Sequence, residues 1–240
     1  MTTAPPTPDA PLAAAPALRL TGRSSSHFTR VARIFAHELG LPLVLDVVPD
    51  LTSLDAADYG GHPALKLPTL HVGDGVLFGT DSICGRLAGI AGRAGDPRVV
   101  LSPHVTPDLA RNAQELVWHA MGAQVQLVVG LQLAGLPAGS LFFAKATRGL
   151  TGALGWLDAH LDRALALLPA PRDVSVLEVT LFCLVEHLAF RPTVALEPFP
   201  ALRAFAAGFA RRESAQRTPF RFDPVPDAAA TDRPGPESER

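Results

Sequence analysis

Pro68 stands where a buried strand should begin, inside His62-Pro63-Ala64-Leu65-Lys66-Leu67-Pro68-Thr69-Leu70. A proline there cannot donate to a sheet ladder, and an X-Pro bond reaches the cis form at small cost. The segment suits a strand start that leaves neighbouring backbone groups free for a ligand. Downstream, Thr69 to Val72 and Val76 to Phe78 read as strands joined by Gly73-Asp74-Gly75, a strong hairpin signal. Thr80-Asp81-Ser82 then reads as the cap of a helix through Ile83, Leu87 and Ile90, ending near Gly92.

Upstream, Ala17 to Thr21 reads as a short strand, Gly22 to Ser26 as a polar turn, and Phe28 to Leu39 as a helix closed by Gly40. Val31, Ile34, Phe35 and Leu39 fall at three- and four-residue spacings, one buried helix face. The apolar run Leu43 to Val48, broken only by Asp46, predicts an interior strand that completes a βαβ unit and makes the sheet mixed. Asp50 to Gly61 is an irregular crossing. The expected domains are residues 17–92, a linker at 93–107, and an all-helical region at 108–220 with helices at Leu109–Leu133, Leu141–Leu168, Val176–Phe190 and Leu202–Arg212. Ser175-Val176-Leu177-Glu178 reads as a capping box. Residues 1–16 are expected as a disordered leader and residues 221–240 as a flexible tail, on their Ala/Pro-rich and Pro/Asp/Ala/Glu composition.

With 240 residues, 48% of them hydrophobic, the chain can build two modest cores, and a net charge of −2 gives no electrostatic footprint for nucleic acid. Leu116 to Ala144 lacks Asp, Glu, Lys and Arg and is long enough to span a bilayer. His119, Gln124, Gln126, Gln132 and the Gly135-Leu136-Pro137 break point instead to a helix buried in a bundle, with no membrane partner. Cys84 and Cys183 form neither a disulfide framework nor a CxxC pair, which fits a reducing, cytoplasmic compartment. The histidines show no ligand spacing, so no metal is expected. No GxGxxG follows the first strand and no GxSxG elbow surrounds the serine run, which removes a dinucleotide fold and a serine hydrolase.

Four stretches together resemble the cytosolic glutathione transferase family over about Ala17 to Phe220. They are the serine-type turn and first helix Ser26-His27-Phe28-Thr29-Arg30-Val31-Ala32-Arg33-Ile34, the segment around Pro68, Leu77-Phe78-Gly79-Thr80-Asp81-Ser82-Ile83, and the Ser175 to Glu178 box. The resemblance implies a thioredoxin-like α/β N-terminal domain, with a cis-proline, followed by an all-α C-terminal bundle. It implies an enzyme that transfers the thiolate of glutathione, as co-substrate, to a small apolar electrophile, and a homodimer. A related enzyme using the same thiolate for isomerisation or dehalogenation, and a non-catalytic binding or interaction protein on the same fold, are the alternatives. The chain departs from the family pattern at Gly79, where an acid or amide is usual, at His27 for proline, and at Thr80 for serine.

A tripeptide thiol needs a pairing edge, a carboxylate holder and something that favours its thiolate. Leu67, just before Pro68, would offer its N–H and C=O to the cysteinyl portion in a strand-like contact. Thr80, at a helix N-terminus, would take the γ-glutamyl carboxylate, with Asp81 beside it and Lys66 near the glycyl carboxylate. Ser26 would hydrogen-bond the sulfur and lower its pKa, and Ser24 or Ser25 could fill that role instead. Trp118, His119 and Met121 are candidates for either the electrophile pocket or the core.

Overall fold

The computed structural model describes residues 17–224. The expected leader, and residues 225–240 of the expected tail, lie outside the described residues. β1 (Leu18–Gly22), α1 (His27–Glu38) and β2 (Leu43–Val47) form the βαβ unit, with β1 parallel to β2. β3 (Thr69–Val72) returns antiparallel to β1 and turns through Gly73 and Asp74 into β4 (Gly75–Phe78). The mixed sheet has the order β2-β1-β3-β4, and α2 (Thr80–Ile90) follows it. Together these elements are a thioredoxin-like domain.

The apolar run at 43–48 predicts an interior strand, but β2 lies at the sheet edge, with Val44 53% and Val47 41% exposed. Its one charged residue suits the placement. Asp46 takes the Arg19 guanidinium at 2.6 Å, and an acid paired on an edge discourages further strand addition. The buried strands are β1 and β3, whose Leu20 and Leu70 are fully enclosed beneath Val31, Ile34 and Phe35 of α1. Gly40, at φ +68°, ends that helix, with Leu41 N–H donating to Ala36 C=O at 2.9 Å.

The second region contains α3 (Asp108–Leu127), continued by a π-helical segment Val128–Leu133, then α4 (Leu141–Ala166), α5 (Val176–Phe190), α6 (Pro200–Phe209) and the short α7 (Glu213–Gln216). The segment read as linker carries β5 (Val99–Val100), which pairs in parallel with β6 (Val174–Ser175) ahead of α5. Half of the expected capping box forms. Ser175 Oγ accepts the Glu178 N–H at 3.4 Å, while the Glu178 carboxylate turns away to Arg172 at 2.8 Å, a stronger partner than a single amide.

Eleven of the fifteen side chains of α5 are buried, and α1 packs directly on it, so one apolar core runs from Leu20 and Phe35 through Phe182 to Leu202. The 108–133 helix is long and apolar enough to cross a membrane by length and composition, but only 33% of its most apolar window is buried. Full burial in a bundle, as its sequence predicts, is therefore not found. Trp118, Gly122, Val125 and Val129 instead line a cavity, which accounts for apolar residues that neither core nor solvent requires.

Candidate functional site

A cavity of about 990 Å³ is lined by the thioredoxin-like domain and by the helical region, and Ser26, Lys66, Leu67, Pro68, Thr80 and Asp81 all stand on its wall. Three short turns bring them there. In the first, the chain leaves β1 at Gly22, where an added Cβ would lie 2.5 Å from Thr29 Cγ2, so only glycine lets the strand end approach α1 this closely. Ser26 is the N-cap of α1, and its Oγ accepts the Thr29 N–H at 3.2 Å while keeping a hydroxyl hydrogen to donate. Ser25 also lines the cavity. Ser24 does not: its hydroxyl is buried without a partner, and its N–H donates to Asp223 Oδ2 at 2.7 Å.

In the second turn the Leu67–Pro68 peptide bond is cis. Pairing of β3 with its neighbours starts at Thr69, so the ladder leaves Leu67 N–H and C=O unused. Thr69 anchors the strand start by donating its hydroxyl to Tyr59 C=O at 2.9 Å. Tyr59 lines the cavity too, but its own hydroxyl donates to Leu51 C=O at 2.9 Å. Lys66 is exposed at the rim.

In the third turn the cap differs from the sequence expectation. Thr80-Asp81-Ser82 predicts a side-chain cap, yet the N-cap is Gly79, at φ +85°, and no side chain caps α2. The left-handed backbone that favours glycine moves the helix start one residue earlier. The consequence is useful: the first-turn amides of α2 keep their donors for whatever enters the cavity. Thr80 is buried at the first helical position, and Asp81 Oδ1 accepts the Ser102 hydroxyl at 2.6 Å.

The remaining wall is apolar. The rings of Phe28 and Trp118 stack with centroids 6.0 Å apart and planes 4° from parallel, beside Val125, Val129 and Leu133. Of the three residues at helical spacing, Trp118 faces the cavity, Met121 is buried in the core, and His119 is exposed.

Behind the serine turn lies a buried polar layer that sequence reading missed, apart from noting His27 as a departure. The His27 ring, whose two nitrogens have no hydrogen-bond partner among the described residues, packs 4.3 Å from His187. His187 Nδ1 accepts from Gln124 Nε2 at 3.2 Å, and the same amide nitrogen donates to Arg191 C=O at 2.9 Å. Burial, with the Arg191 and Arg30 guanidiniums adding to it, lowers the His187 pKa to about 4. Burial and His187 hold His27 well below the usual histidine range, so both rings are neutral near pH 7. Arg30 is enclosed between Phe182 and Phe220, 4.7 and 4.4 Å from their ring centres, and donates to Ala215 C=O at 3.2 Å. No local signal marks this layer, because its members are far apart in sequence.

Neither cysteine reaches the cavity wall, and burial pushes Cys183 up to about 12 and Cys84 well above its ordinary value, so the chain supplies no thiolate there. Among the described residues no group of three or more His, Cys, Asp or Glu is placed to hold a metal ion.

These features are those of a glutathione-transferase fold, and comparison with known proteins gives the same class. Residues 25–89 match the family model described as glutathione S-transferase, N-terminal domain. A glutathione transferase family member from Pseudomonas fluorescens, solved with bound glutathione, superposes with a TM-score of 0.69 at 21% identity, covering 85% of this chain and 98% of that one. A glutathione S-transferase from Methylobacillus flagellatus with glutathione bound gives 0.66 at 20% identity, over 85% of this chain and 99% of that one. One from Methylobacterium radiotolerans, in complex with glutathione sulfonate, gives 0.64 at 22% identity, over 90% and 98%. A comparison with curated protein sequences gives no match.

Proposed function

We propose that the protein is a glutathione-dependent transferase, which binds glutathione in this cavity and passes its thiolate to an apolar electrophile. The observation that carries the reading is one wall presenting three things together: the Ser26 hydroxyl, the unpaired Leu67 backbone edge, and the α2 N-terminus without a side-chain cap. Leu67 would pair with the cysteinyl backbone in an antiparallel, strand-like contact, and Pro68 sets its geometry. The free amides of α2 and the Thr80 hydroxyl would hold the γ-glutamyl carboxylate, Asp81 its ammonium, and Lys66 the glycyl carboxylate. Ser26 would donate to the sulfur. A hydrogen bond to the charged form lowers the thiol pKa, so the proton leaves to solvent and the thiolate fraction rises at neutral pH. The stacked Phe28 and Trp118 rings, Val125 of α3 and Val129 of the π-helical segment would form the electrophile side. Glutathione bound to solved structures of the same fold supports this reading.

Titration of the purified protein with glutathione by calorimetry, followed by thiolate absorbance across pH, tests it. Binding with a lowered thiol pKa is expected. No binding at millimolar glutathione overturns it in favour of a non-catalytic protein on the same fold, a reading that Gly79 in place of an acid, and the engagement of Ser26 as a cap, would then explain. The same reading carries a homodimer and a cytoplasmic setting, the latter suited to two free, buried cysteines.

A further inference from the structure

Among the described residues, four formally charged side chains line the cavity: Arg23, Lys66, Asp81 and Arg191. The proposed glutathione site uses Lys66 and Asp81, which stand beside Leu67 and Thr80. Arg23 and Arg191 are left over, and neither forms an ion pair with a carboxylate among the described residues. Both are nonetheless held in place by neutral groups. Arg23 donates to Pro49 C=O at 3.2 Å, while its Nε is buried with no partner. Arg191 donates to Gln132 Oε1 at 3.2 Å and lies 4.8 Å over the Phe222 ring.

Carbonyl, amide and aromatic partners orient a guanidinium without neutralising it. A buried donor left empty is uncommon in folded chains, and on the wall of a cavity it is open to a partner that arrives from outside. We infer that the electrophile carries an anionic group, a carboxylate or sulfonate on an apolar frame, which Arg23 and Arg191 hold while the Phe28, Trp118 and α3 wall takes the rest. The guanidinium fork suits planar oxyanions better than a lysine would. Burial and the neighbouring Arg23 lower the Arg191 pKa, as two cations sharing an unneutralised space should. Anion preference is thus a specificity device of the second-substrate side, and the word electrophile rests on the transferase reading above.

The test uses a matched pair of probes, 4-phenylbutanoate and its neutral amide, titrated into the full-length protein in the presence and absence of glutathione. The acid is expected to bind about tenfold tighter than the amide or better, as for hydrogen bonds to a charged group, and to lose that margin as salt rises. Arg23→Gln, and Arg191→Lys with Arg191→Gln, are expected to erode the acid's margin toward parity, while the affinity for glutathione changes less than twofold. Arg23→Gln alone serves if position 191 does not tolerate glutamine. Equal binding of acid and amide overturns the inference. So does a loss of glutathione affinity in the arginine variants, which would assign the pair to the tripeptide and leave the transferase reading intact. Retained acid preference without any glutathione binding would uphold the anion site and remove the transferase reading.

Discussion

Ser24 and Ser26 are two positions apart in one turn and differ in everything that chemistry needs. Ser26 lines the cavity with a hydrogen free to donate, whereas the Ser24 hydroxyl is buried off the wall. If the protein works as the proposed transferase, loss of a hydrogen bond to a charged sulfur costs about 1.5–3 kcal/mol, so Ser26→Ala is expected to reduce turnover about 10- to 100-fold and Ser24→Ala far less. Equal losses in steady-state kinetics, or a larger one in Ser25→Ala, would move the role off Ser26. Ser26 was legible because a polar turn before an amphipathic helix is a local pattern. His187 was not, since its environment comes from α3 and the serine turn. Its effect shows in pH. The unfolded chain protonates His187 near 6.5, but the fold resists until about 4, so stability is full above 6.5 and falls as pH drops through that interval. The loss is on the order of 3 kcal/mol from this ring alone, at 1.36 kcal/mol per unit. His27 shifts in the same direction. Urea midpoints that stay flat from pH 7 to 4, or a His187→Gln variant that keeps the wild-type slope, would refute this.

Asp223 lies in a stretch whose composition predicts a loose tail, yet residues 218–223 fasten the serine turn to α5. Phe220 stacks on Phe190 at 5.5 Å, Phe222 packs against the same ring, and the Asp223 carboxylate takes the buried Ser24 N–H. Asp223→Ala would leave that amide enclosed and unpaired, a cost of about 1–3 kcal/mol. The midpoint of urea unfolding is expected to fall accordingly, with little change in its slope, and an unaltered midpoint would mean that the carboxylate bears nothing. Periodicity recovered α1, the hairpin and the long helices because each writes its buried face into its own residues. It failed where a neighbour decides. β2 reads as interior from its valines but is an edge because nothing among the described residues pairs beyond it, β5 is invisible in the 93–107 segment because its partner β6 is far along the chain, and the α2 cap falls on Gly79 because backbone conformation outweighs the choice among three polar side chains.

The two regions differ in architecture but share one apolar core, and α1 belongs to both: one face covers the sheet and another packs on α5. A clamp at the end of α1 adds a polar tie. Glu38 accepts from Arg212 at 2.7 Å and from the Ser214 hydroxyl, while Arg212 also donates to Asp173 C=O, so one carboxylate joins the sheet domain to α7 and to the strand before α5. Despite burial, which raises it, those two partners hold the Glu38 carboxyl below the usual range. With α1 enclosed on both sides, neither region can unfold without exposing apolar surface of the other. Calorimetry is therefore expected to give a single transition with equal van't Hoff and calorimetric enthalpies. The clamp should register in the same experiment. Glu38→Gln and Arg212→Gln are expected to be non-additive by about 1 kcal/mol, since the pair is half-buried rather than fully solvated. Two resolved transitions, the lower one abolished by neither variant, would show that the sheet domain and the helical region fold independently and that the shared core contributes less than its continuity implies.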